Sequence, residues 1–225
     1  MDEGLLDDYL EGLFDDDLCD ITSKDDKKDE TQEIHLHTLK TRQRHVTRRA
    51  FSEQAMNEAL DWHLEKGCTY HCISGGDVDS LTYLRGIVKQ QKLDYVLIST
   101  WCMSMTDAEE INSWVNRGLV GKIDLYVGEI FTRSYGDVME YMQQIVAICN
   151  GRVCVTRNHS KVMVGYGDDY AFAIASSANV NTNPRIENTT ITVDKEVADF
   201  YKAFFDDLIP FNGNPKGWEP YHAKR

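Results

Sequence analysis

The chain has 225 residues, 42% of them hydrophobic, and a formal net charge of −13. That length holds one domain with an appendage, and that apolar share is enough for a core. No apolar stretch approaches membrane-spanning length, and the acidic N-terminus lacks the apolar core of a signal peptide, so a cytoplasmic protein without a membrane partner is expected. The acidity is local. Residues 1–33 hold 14 of the 37 acids and 3 of the 24 bases, a net of −11; the remaining 23 acids and 21 bases leave the body of the chain at −2. A low overall pI therefore argues little against a nucleic-acid substrate. The six cysteines, Cys19, Cys68, Cys72, Cys102, Cys149 and Cys154, form no CxxC pair. Free reduced thiols are expected, and for Cys68-His71-Cys72 that reading is preferred to a zinc site.

In chain order, residues 1–33 read as a flexible acidic arm. Leu5, Leu6, Tyr9, Leu10, Leu13, Phe14 and Leu18 recur among acids at near-helical spacing, a pattern suited to docking on a protein partner as well as to a solubilising tail. Residues 34–67 form a second segment. Lys40, Arg42, Arg44, Arg48 and Arg49 make a basic run suited to phosphate backbones, with a solvated charged face as the plainer reading. An amphipathic helix over 50–66 follows, its stripe Phe51, Ala55, Met56, Ala59, Leu60 and Leu64, flanked by Trp62 and ended by Gly67.

From residue 68 strands and helices alternate. Strands are predicted at Tyr70–Ser74, Tyr95–Thr100, Ile123–Val127 and Arg152–Thr156, with helices to about Gln91, from Asp107 to about Gly118, and from Gly136 to Cys149. Gly75-Gly76-Asp77 lacks the lysine and hydroxyl of a phosphate loop and reads as a tight strand-to-helix turn. Ser99, Thr100, Trp101 and Glu129 fall at carboxyl ends of strands, where open α/β sheets place ligands. Trp101 suits stacking on a base or lining an apolar wall. A strand at Thr189–Val193 and a helix at Lys195–Leu208 complete the domain, and 209–225 reads as an irregular tail. The pattern implies a layered α/β/α domain over 68–208 with a mixed sheet, parallel at first and ending in an antiparallel hairpin.

That hairpin carries the chemistry. His159 and Lys161 open an apolar run, and strand alternation would put both on one face. Lys161–Val164 and Tyr170–Ala175 read as its strands, joined by Gly165-Tyr166-Gly167-Asp168-Asp169. The hairpin would return Ser177 and Asn179 beside His159 and Lys161, and Arg185-Ile186-Glu187-Asn188 closes the stretch. An imidazole, an ammonium, a hydroxyl and a carboxamide at one point suit a phosphate.

This arrangement resembles the phospholipase D superfamily, whose signature is His-x-Lys, a strand, an Asp, a second strand, Gly-Ser-x-Asn and a downstream Glu. His159-Ser160-Lys161, Ser177-Ala178-Asn179 and Glu187 match. Two positions depart: the signature Asp falls on Tyr166, and Ser176 replaces the Gly. His222-Ala223-Lys224 near the C-terminus has no strand or Ser-x-Asn after it and reads as chance. The resemblance implies a phosphodiesterase that needs no metal or other cofactor and works through a phosphohistidine, with His159, Lys161, Ser177, Asn179 and Glu187 as its catalytic set. Trp101, at its strand end, and Arg185 are the substrate-binding candidates. Such chemistry takes two histidines, and the chain supplies one motif. A homodimer sharing the site resolves this, as in single-motif nucleases of the superfamily. Nucleic acid is the expected substrate. Two other readings stand: a catalytically decayed dimer serving as a nucleic-acid-binding or assembly module, and a phospholipid phosphodiesterase or phosphatidyltransferase.

Overall fold

The computed structural model describes residues 55, 58, 60, 62–74, 78–181 and 185–223, all within one compact unit, Thr41–Arg225. The acidic arm, the basic run with Lys40, Arg42, Arg44, Arg48 and Arg49, most of the 50–66 stretch and Gly75-Gly76-Asp77 lie outside the described residues.

Seven strands form one mixed sheet: β1 (Thr69–Ser74), β2 (Leu93–Thr100), β3 (Val120–Gly128), β4 (Arg152–Thr156), β5 (Val162–Gly167), β6 (Ala171–Ser176) and β7 (Glu187–Thr192). Their order is β1-β7-β6-β5-β2-β3-β4. β2, β3 and β4 run parallel, and every other neighbouring pair is antiparallel. The helices are α1 (Ser80–Gln90), α2 (Met105–Asn116), the short α3 (Phe131–Ser134), α4 (Gly136–Ile148) and α5 (Lys195–Asp206).

The topology follows from two rules. β1, β2, β3 and β4 all point the same way and advance in one direction across the sheet. Right-handed crossovers between them put α1, α2 and α4 on one face. β5, β6 and β7 then fill the gap left between β1 and β2, and α5 lies across the other face against β5 and β6. β2 is therefore central and covered on both sides. Its run Val96-Leu97-Ile98-Ser99-Thr100 is wholly buried, as a strand with two covered faces requires. Beneath α5, Tyr95, Leu97, Tyr126, Cys154, Val162, Val164, Tyr166 and Ala173 pack against Ala198 and Phe205.

Helix starts are set by short polar side chains. Asp79 accepts the Thr82 N–H at 2.8 Å, Ser104 and Asp107 form a capping box, and Asp194 accepts from Glu196 and Val197. Each such cap contributes about 1 kcal/mol.

The α/β class, the layered mixed sheet and nearly all element positions are as the sequence implied; four details differ. The helix expected over 50–66 stops earlier: Ala55, Glu58 and Leu60 are helical, but Trp62 has φ +46° and the chain then runs irregularly to Gly67. Trp62 turns inward instead, so close to Gly86 that a Cβ there would lie 2.1 Å from the indole. The expected hairpin join is mostly strand. β5 runs on through Tyr166 to Gly167, because Gln91 clamps the turn by accepting from the Asp169 and Tyr170 N–H groups at 2.9 and 3.3 Å. The hairpin does not end the sheet but sits in its middle.

Finally, the irregular tail is bound along its length. Phe211 donates to the Val155 carbonyl at 2.8 Å, and the Asn212 carboxamide bonds Val153 and Val155, which closes the open edge of β4. Trp218 donates to Asp124 at 2.9 Å, and Tyr221 stacks on Tyr95 with ring centroids 4.7 Å apart.

Candidate active site

The strand directions bring the carboxyl ends of β1, β2, β3, β4 and β6 to the same end of the sheet as the amino ends of β5 and β7. The 158–161 turn enters β5 there, directly beside the end of β2, since Ser99 pairs with Val162. Val162 pairs in turn with Ala175, and Ser176 donates to the Lys161 carbonyl at 2.9 Å. β7 begins alongside, and Ser177 donates to the Asn188 carbonyl at 2.9 Å. Three segments distant in sequence thus meet at one corner. The strand alternation predicted for His159 and Lys161 does not apply, because both stand just before β5, and only the Lys161 carbonyl joins the sheet, through Ser176.

His159 is exposed and Lys161 half-buried. The Lys161 Nζ lies 3.1 Å from His159 Nδ1 and 3.3 Å from Nε2, and donates to the His159 carbonyl at 3.0 Å. The ammonium is therefore folded over the imidazole. The Trp101 ring also tilts against the imidazole at a centroid distance of 5.1 Å. Asn179 accepts the Trp101 N–H through its side-chain oxygen at 3.3 Å, and its carbonyl accepts from Ser80 at 3.0 Å. Asn179 thereby ties the end of β6 to the end of β2 and the start of α1. Ser177 donates its hydroxyl proton to the Glu187 carboxylate and accepts the Asn188 N–H at 3.0 Å. Arg185 is exposed two residues before β7.

Both departures from the signature have a structural reading. Ser176 accepts the Ala178 N–H at 3.0 Å and meets the Thr189 hydroxyl at 2.7 Å, so it cross-links β6 to β7 as a glycine would not. Tyr166 lies four residues along β5 from the site, opposite Tyr95, and its hydroxyl donates to Asp199 on α5 at 2.8 Å. Burial, reinforced by that carboxylate, pushes the phenol far above its ordinary range. The position is a core contact under α5 and not a group facing His159. His222 is likewise remote, next to the Tyr221 that stacks on Tyr95 at the start of β2.

Sequence reasoning passed over the residue before the histidine. Asn158 is buried beneath the turn and bonds Ser99, Ser160 and the Tyr126 carbonyl. The signal in the sequence is a polar residue directly before His159, just past the end of β4. Thr100, at the end of β2, accepts the Val180 N–H at 3.2 Å and donates to the Cys102 carbonyl at 2.8 Å, holding that end against the 177–181 segment. Cys68, His71 and Cys72 do not converge. His71 and Cys72 are strand neighbours on opposite faces, and His71 meets Thr190. Among the described residues no group of three or more His, Cys, Asp or Glu is placed to hold a metal ion, and no helix is long and apolar enough to cross a membrane.

No protein-family model matches the chain. No curated protein matches it. Solved structures that are similar include NucT from Helicobacter pylori, at 18% identity and a TM-score of 0.49 over 65% of this chain and 98% of that one. Polyphosphate kinase from Porphyromonas gingivalis is similar at 12% identity and a TM-score of 0.48, over 68% of this chain and 27% of that one. Phosphatidylserine synthase from Haemophilus influenzae Rd KW20 is similar at 13% identity and a TM-score of 0.45, over 61% of this chain and 37% of that one.

Proposed function

We propose that the chain is a metal-independent phosphodiesterase of the phospholipase D type, acting on nucleic acid as a homodimer with one shared site. The observation that carries this reading is the gathering of His159, Lys161, Ser177, Asn179 and Glu187 from three segments onto one end of the sheet.

In the proposed reaction one His159 imidazole nitrogen attacks phosphorus, and the bond to the leaving oxygen breaks. That oxygen takes a proton from the imidazolium of His159 in the second subunit. The second imidazole, now neutral, removes a proton from water, which attacks the phosphohistidine and frees the first histidine. Lys161 and Asn179 offer an ammonium and a carboxamide to the non-bridging oxygens, whose charge must be balanced in the transition state. Ser177 is taken by Glu187 and Asn188, so its role is to tie the β6 end to β7 and hold Glu187 in place. Trp101 and Arg185 line the approach. The basic run Lys40, Arg42, Arg44, Arg48 and Arg49 suits a phosphate backbone, and the acidic arm suits a protein partner or a cover for the site.

The competing reading is a decayed dimer that only binds nucleic acid. Tyr166 in place of the signature Asp favours it. The satisfied hydrogen bonds of Tyr166 and Ser176, which leave the His159 corner intact, count against it.

Cleavage of single- and double-stranded DNA and RNA in EDTA, wild type beside His159→Ala, tests the proposal. Cleavage in EDTA that the substitution abolishes is the expected result. Retained cleavage in His159→Ala, or binding without cleavage by the wild type, contradicts it. Sedimentation of a monomer at micromolar concentration would remove the shared site.

A further inference from the structure

We infer that Asn158 is the positioning residue of His159. The inference rests on the function proposed above. The Asn158 Nδ2 donates to Ser99 Oγ at 2.9 Å, at the end of β2, and to the Tyr126 carbonyl at 2.9 Å, on β3. Its Oδ1 accepts the Ser160 N–H at 3.1 Å and the Ser160 hydroxyl at 2.7 Å. The Ser99 hydroxyl reaches the same residue, 2.7 Å from Ser160 Oγ and 3.0 Å from the Ser160 carbonyl. One buried carboxamide therefore uses both donors and both acceptor lone pairs. Two of these bonds go to the sheet and two to the residue after His159. The histidine is pinned on both sides through its backbone, while its ring stays in solvent against Trp101.

The chemistry of the side chain explains why it is an asparagine. Aspartate would face the Tyr126 carbonyl with an acceptor where a donor is needed. Serine would not span from Tyr126 to Ser160. The carboxamide is planar, with its donor nitrogen toward Ser99 and the Tyr126 carbonyl and its acceptor oxygen toward Ser160. Packing closes the remaining freedom. A Cβ on Gly128 would lie 2.9 Å from the Asn158 carbonyl and 2.7 Å from the Trp101 ring, so the turn and the indole fill the space above β3.

Asn158→Ala should lower kcat by about 30- to 100-fold with KM changed by no more than about two-fold, because the reacting ring is displaced while the phosphate-binding side chains remain. Ser160→Ala removes only the hydroxyl from the network, and should lower kcat by about three- to ten-fold with little loss of stability. It serves where Asn158→Ala does not fold. Asp194→Ala, which removes the α5 cap at the other end of the sheet, controls for lost stability and should keep wild-type kcat. The side-chain 15N–1H spectrum of His159 should shift in Asn158→Ala and stay unchanged in Asp194→Ala. Wild-type kcat in both Asn158→Ala and Ser160→Ala, or an equal loss in Asp194→Ala, overturns the inference. If the wild type cleaves nothing, the proposed function fails alone. The spectra then decide: displaced His159 resonances in Asn158→Ala sustain the positioning role, and unchanged ones overturn it.

Discussion

Polar side chains crowd two regions of the sheet: the end where β5 begins, and the face beneath α5 and the C-terminal tail. At the first, His159 and Ser177 are exposed and Lys161, Asn179 and Glu187 are half-buried. At the second, Asp124 and Arg152 are fully buried, and Tyr95 and Tyr126 with them. Asp124 accepts from Tyr95, Trp218 and the Arg152 N–H. Arg152 donates to Tyr126, Asn214 and the Phe205 carbonyl, and lays its guanidinium 3.6 Å from the Trp218 ring centroid. The contrast separates two uses of polarity. Buried groups that bond only to protein hold the tail and α5 on the sheet. Groups at the open end keep a face toward solvent, where a substrate can take it.

The comparison breaks first under substitution. His159→Ala should reduce cleavage on the order of 10⁴-fold or more, while the melting temperature moves by no more than about 1–2 °C, since the side chain is exposed. Asp124→Ala should do the reverse. It orphans two buried donors, the Tyr95 hydroxyl and the Arg152 N–H, at about 1–3 kcal/mol each, and frees the half-buried Trp218 indole, so the melting temperature should fall by roughly 10 °C, with kcat of the surviving folded protein near wild type. Calorimetry and cleavage assays on the same samples check both.

The tyrosines sharpen the contrast through pH. Burial pushes Tyr83 and Tyr170 up to about 12. It pushes Tyr95, Tyr126 and Tyr166 well above their ordinary range too. The folded chain therefore keeps protons that the unfolded chain releases near pH 10. Stability from this source is fully present below about pH 10 and is lost as pH rises toward 12 and beyond. Denaturant melts across that window should show a steep fall, shallower in Tyr166→Phe, and ultraviolet titration should show a late-ionising group of tyrosines. An identical slope in Tyr166→Phe would detach this phenol from the effect.

Two smaller effects return to the site end. Gly128→Ala presses on Trp101 and the Asn158 carbonyl, and should lower kcat by about 10-fold or more through a shift of the turn. Ser176→Gly cuts the β6–β7 tie. A loss of about 1 kcal/mol and nearly unchanged kcat are expected, read from a melt and a rate.

Much of this was legible in the sequence because local signals agreed with the fold. Arg152–Thr156 was bounded correctly by its β-branched run, and Gly136 correctly opened α4. Hairpin logic predicts Ser177 and Asn179 beside His159 and Lys161; the register pairs Val162 with Ala175 and so brings the end of β6 alongside the start of β5. The insertion of β5, β6 and β7 between β1 and β2 was not legible, because pairing across the sheet leaves no mark in neighbouring residues. Tyr166 was taken for a turn residue because Gly165 and Gly167 flank it. Those glycines serve packing, since a Cβ on Gly165 would meet the Phe172 ring at 2.3 Å and one on Gly167 the Gln91 side chain at 2.3 Å. The role of Asn158 is not legible because the bonds that tie it to the sheet reach Ser99 on β2 and Tyr126 on β3, far from it in sequence.

The most direct test is to look for the covalent intermediate. The protein would be incubated with bis(p-nitrophenyl) phosphate in EDTA, quenched in alkali to preserve a phosphohistidine, digested and analysed by mass spectrometry. The account predicts a nitrophenyl phosphate adduct on the peptide carrying His159, absent from His159→Ala. Turnover with no adduct, or an adduct on another residue, would contradict it.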